Sequence, residues 1–152
     1  MDTFRARIIG PLLAVALMAV GAVVLMAEPA PAMQNSSKAA IEEALRLGEE
    51  VGVIVGEVDE ETREYLGLQR AEGVVVYEVI AGRPADLAGI KVKAVIKEID
   101  KYEIRTLEDF GRALKAVMAT ENFTVATYEP ADPNNQGMAG GVNFHFVRTE
   151  KD

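Results

Sequence analysis

The chain has 152 residues, no cysteine and a single histidine, His145. Its formal net charge is -8, from 24 acidic and 16 basic residues. These figures exclude disulfides, thiolate nucleophiles, cysteine zinc sites and multi-histidine metal centres. They also disfavour nucleic acid, whose phosphates need a basic surface.

Ile8 to Ala27 carry no charged side chain and follow Arg5 and Arg7. In a helix, twenty such residues span about 30 Å, the thickness of a bilayer's hydrocarbon core. Arginines before the span and Glu28 after it predict the N-terminus inside and the remainder outside. Two fates stay open. Residues 1–32 are a signal peptide cleaved after the Ala30-Pro31-Ala32 triplet, or a retained single-span anchor. The triplet and Gly21 favour cleavage; the length of the apolar stretch favours the anchor. Either way the protein contacts a membrane through residues 8–27, and its domain lies outside the cytoplasm, anchored or periplasmic.

Glu28 to Ser37 read as a linker, with Ser36 or Ser37 able to cap a helix. Ile41, Ala44 and Leu45 recur at helical spacing, predicting a short helix from Lys38 to about Leu47 that serves as a spacer. This divides the chain into a linker and short helix over 33–46, a domain over 47–148 and a tail over 149–152.

Within the domain, Val51 to Gly56 is a β-branched run and predicts a strand. Asp59 can cap a short helix through Leu66 that Gly67 ends. Gly73 to Ile80 is the strongest strand, followed by a turn at Ala81 to Pro84 and a short helix to Ala88. Val92 to Ile99 predicts a strand, Asp100-Lys101-Tyr102 a hairpin turn, and Glu103-Ile104 a short strand. Thr106 caps a helix from Leu107 to about Met118, with Asp109 in its first turn. Phe123 to Tyr128 is a strand, Glu129 to Gly141 a loop, and the last strand places Val142, Phe144 and Phe146 on one face. The fold class is α+β, mainly β: a partly open antiparallel barrel or sandwich with two or three helices, behind an N-terminal hydrophobic helix.

The strand Gly73 to Val79, the segment Gly82-Arg83-Pro84-Ala85-Asp86-Leu87-Ala88-Gly89-Ile90, Val95-Ile96 to Asp100, and Ile104 to Phe110 together carry a likeness. In kind and spacing they resemble a PDZ domain of the bacterial type found in HtrA-family periplasmic proteases. The likeness covers about Leu47 to Arg148. It departs at two turns: Lys93-Ala94 stands where the family has Gly-Asp, and Asp100-Lys101-Tyr102 lacks the family's glycine.

The resemblance implies binding of a peptide or C-terminal tail as an added strand on a sheet edge. It implies a carboxylate loop at Glu50-Val51-Gly52-Val53, an edge strand from Val53 through Ile54 to Val55, and a second groove wall of Leu107, Gly111 and Leu114, with Phe110 and Val117 in the core. Tyr65-Leu66-Gly67-Leu68 looks like a eukaryotic carboxylate loop, but its position makes it a helix end. Glycine inside a helix costs about 0.5–1 kcal/mol against alanine, so Gly111 needs a reason: room for a ligand side chain, or close helix packing. Acids beside the loop, Glu49 and Glu50 above all, predict that basic tails or internal segments are favoured over acidic tails.

The only serines, Ser36 and Ser37, lie in the predicted linker, so no serine triad is available. The expected function is an adaptor or scaffold without catalytic residue, metal or cofactor, serving a protease or secretion partner. The alternative is an assembly subunit of a membrane or secretion complex whose groove is unused or self-occupied.

Overall fold

The computed structural model describes residues 31–131 and 140–149. Residues 1–30 of the expected signal or anchor segment, most of the Glu129–Gly141 loop and all of the C-terminal tail but Thr149 lie outside the described residues.

A helix, α1, spans Pro31–Val51. It is longer than the expected helix and starts inside the expected linker. Its middle is rich in alanine, glutamate, leucine and arginine, all strong helix formers. Ala44, Leu47 and Val51 form a buried stripe at helical spacing, while Arg46 on the outer face bridges Glu43 and Glu50 at 3.0 and 3.3 Å. Burial of a leucine or valine is worth about 1.5–3 kcal/mol each. This corrects the spacer expectation: α1 belongs to the core, which begins ahead of residue 47.

The remaining elements are β1 (Val53–Glu57), α2 (Glu60–Leu66), β2 (Val74–Val79), α3 (Pro84–Leu87), β3 (Val95–Ile99), β4 (Tyr102–Glu103), α4 (Leu107–Val117), β5 (Asn122–Glu129) and β6 (Gly141–Arg148). Local chemistry sets their ends. Asp59 caps α2 by accepting the Thr62 N–H at 2.7 Å, and Gly67 closes it at φ +64°. Tyr65-Leu66-Gly67-Leu68 is thus a helix end, as its position implies.

All pairings are antiparallel, in the order β1-β2-β3-β5-β6 with β4 on β3. The sheet is open, so β1 and β6 are its edges. Among the described residues α2, α3 and α4 accompany it, within the expected two or three helices, and α1 adds a fourth. Val53, Val74, Val76, Ile96 and Val147 from the sheet meet Phe110, Leu114 and Val117 from α4 in one core.

At β6 the alternation puts the aromatic face outward. Val142, Phe144 and Phe146 face solvent at 58%, 72% and 56% exposure, while His145 and Val147 point inward. His145 Nδ1 lies 3.1 Å from the Ala88 carbonyl and Nε2 lies 2.9 Å from Thr127 Oγ1. A carbonyl can only accept, so Nδ1 carries the hydrogen, and the Thr127 hydroxyl, able to donate or accept, completes the pairing at Nε2.

The two departing turns keep the backbone geometry that glycine would serve. Lys93 sits at φ +69° and Asp100 at φ +49°. Asp100 has local support, its carboxylate accepting the Thr124 N–H at 2.8 Å. Lys93 lies near the Tyr65 ring, 5.7 Å from its centroid.

Candidate functional site

The candidate site lies between the edge strand β1 and α4. Thr106 and Asp109 form a capping box at the start of α4. Burial pushes the Asp109 carboxyl up, but the N–H groups of Arg105 and Thr106, the Thr106 hydroxyl and the Arg112 guanidinium outweigh it and hold Asp109 below its ordinary value. A second anchor comes from β1: Glu57 Oε1 accepts the Leu107 N–H at 3.1 Å. One carboxylate thereby satisfies an orphan donor of α4 and fixes the distance between the two walls.

The other end of β1 begins at Gly52, where the chain leaves α1 at φ +105°. A Cβ there would stand 2.3 Å from Arg83 Cβ, so glycine is required by conformation and by space. The Gly52 N–H donates to the Gly48 carbonyl at 2.9 Å, and its carbonyl accepts the Ile80 N–H at 2.8 Å. Glu50 and Val51 are still helical. The expected carboxylate loop is therefore a helix C-terminus: its glycine N–H is already used, the dipole presents its negative end, and the exposed Glu49 and Glu50 add negative charge. This arrangement opposes an anion rather than receiving one. Arg83, whose stem packs on Gly52, is the nearby cation that sequence reasoning did not single out.

Val53 and Val55 turn into the core and Ile54 is 38% exposed, the alternation expected of an edge strand. On α4, Leu107, Gly111 and Leu114 are all buried, as are Phe110 and Val117. α1 packs on both α4 and β1 and covers Gly111 with Ala44. Ser37 Oγ donates to Glu108 Oε1 at 2.5 Å near the start of α4. A turn further on, a Cβ on Gly111 would lie 2.7 Å from Ala44 Cβ and 3.0 Å from its Cα. A Cβ on Gly48 would lie 3.2 Å from the Val53 carbonyl and 3.3 Å from the Phe110 ring. Of the two reasons open for Gly111, close helix packing is the one present. Of the nine expected residues, Glu50 and Val51 end α1, Gly52 to Val55 turn into and form β1, and Leu107, Gly111 and Leu114 lie buried on α4, with Ala44 and Leu47 of α1 in the same core. The signal for that addition was the small residue on each helix, Ala44 and Gly111, which permits close approach.

No family model matches the chain, and no curated protein does. Among solved structures, the chain is similar to the HtrA3 PDZ domain bound to a phage-derived ligand (FGRWV). The TM-score is 0.48 and the identity 13%, over 66% of this chain and 83% of that one. It is also similar to the HtrA-type protease AlgW with decapeptide, with a TM-score of 0.48 and 25% identity over 64% of this chain. That match spans only 27% of the protease's chain.

Proposed function

We propose that this chain is a peptide-binding adaptor, exported or membrane-anchored, that takes an extended segment of another protein as an added strand on β1. The observation that carries this is the position of β1: it is an edge of the sheet, and Glu57 at its end is hydrogen-bonded to Leu107 at the start of α4. Among the described residues no backbone hydrogen bond from another element reaches its outer side. Strand addition supplies backbone hydrogen bonds along such an edge, and side chains on the facing helix select alternate residues. The helix end at Val51–Gly52 with Glu49 and Glu50 favours internal or basic segments over a bare terminal carboxylate. No catalytic role is proposed for any residue of the groove.

A second function, an assembly subunit with a self-occupied groove, is favoured by the packing of α1 on α4. Selection from two displayed decapeptide libraries, one ending in a free carboxylate and one embedded internally, separates the two. Enrichment of internal, lysine- or arginine-bearing segments supports the adaptor. Enrichment of neither library supports the assembly subunit.

A further inference from the structure

We infer that α1 is a built-in occupant of the β1–α4 groove, which ligand must displace. This rests on the groove proposed above and concerns its regulation. The chain turns at Gly52, and α1 packs back on β1, with Gly48 against the Val53 carbonyl. It also packs on α4, where Ser37 meets Glu108, Ala44 meets Gly111 and Gly48 meets the Phe110 ring. A strand added to β1 beside α4 would need the space that α1 fills. The packing leaves no room for both: Gly111 is within contact of the Ala44 backbone, and Gly48 meets the Val53 carbonyl and the Phe110 ring.

The attachment also differs from that of the strands. α1 makes no backbone hydrogen bond to β1 or α4 among the described residues; the bond from Gly52 to Gly48 is its own C-terminal turn. It is held by a stripe of buried side chains, with the side-chain hydrogen bond from Ser37 to Glu108 at its N-terminal end. An element held this way can leave as a unit while the sheet ladder stays intact. The residue pair Glu57–Leu107 would keep the walls in place when it does.

The test uses the full chain, its Ala44→Glu and Leu47→Ala variants, and a fluorescein-labelled synthetic peptide of residues 37–51. Ala44→Glu puts a charge against α4, and Leu47→Ala loosens α1 without one. Each variant should bind the labelled peptide at least tenfold tighter than the unmodified chain. Hydrogen exchange in the variants should show protection lost over α1 and kept in β2, β3 and β5. Equal binding by variants and unmodified chain, or loss of protection everywhere at once in both variants, overturns the inference. A decapeptide from the libraries separates this from the groove itself. If the 37–51 peptide binds the variants but no library peptide does, the occupant stands and the adaptor falls. If a library peptide binds the unmodified chain and both variants equally while α1 stays protected, the adaptor stands and the occupant falls.

Discussion

Gly111 and Ala44 are in contact across two helices, with space for no more than a hydrogen between them: an added Cβ would lie 2.7 Å from Ala44 Cβ and 3.0 Å from Ala44 Cα. Alanine raises intrinsic helix stability by about 0.5–1 kcal/mol over glycine. Here the overlap should reverse the sign. Gly111→Ala is expected to destabilise the domain by about 1–3 kcal/mol in urea unfolding. Ala44→Gly in the same chain should recover part of that loss, giving a favourable coupling energy. Additive single and double variants would mean that the helices do not meet there.

Lys93 holds a left-handed backbone without glycine, at φ +69°. Lys93→Gly should stabilise the domain by about 0.5–1 kcal/mol, since the left-handed region strains a residue with a Cβ. Asp100 has nearly the same φ but its carboxylate binds the Thr124 N–H. Asp100→Gly should therefore bring no gain, because a hydrogen bond worth about 1 kcal/mol is lost with the strain. Thermal unfolding of the two variants side by side checks the contrast; equal shifts would contradict it.

Glu57 ties the end of β1 to the start of α4 by accepting the Leu107 N–H at 3.1 Å. Glu57→Ala should cost about 1 kcal/mol, the usual loss on removing a helix N-terminal acceptor. Faster amide exchange at Leu107 should accompany it. Unchanged exchange there would remove the bond from the account of the groove's width.

Asp109 sits below its ordinary value in the folded protein because donors at the α4 N-terminus outweigh its burial. A carboxylate depressed on folding adds stability above its unfolded value, about 3.9, and loses it as pH falls through the folded value. Asp109→Asn should thus be less stable than the unmodified chain at pH 7 by about 1 kcal/mol. The gap should narrow steadily below about pH 4. A gap independent of pH from 7 to 2 would contradict this role.

How much of this was legible depends on whether the cause was local. Asp59 with Gly67, and Thr106 with Asp109, set helix ends through residues a few positions apart, and both could be recognised from their spacing. The β1–α4 pairing was legible only through the family likeness. The role of α1 was not, because the stripe Ala44, Leu47 and Val51 says that one face is buried but not against what. The same limit applies to β6: alternation separates Phe144 from His145, yet the inward side was chosen by the bonds His145 makes with Ala88 and Thr127. Gly111 admitted two explanations until its neighbour was known.

Amide chemical-shift mapping on the isotopically labelled full chain tests the groove most directly. With a library-selected decapeptide added, the largest changes should fall on Val53–Glu57 and on Leu107–Leu114, with α1 losing its contacts to α4. Changes confined to β6 and α3, or saturable binding that leaves β1 and α4 unmoved, would contradict strand addition at this edge.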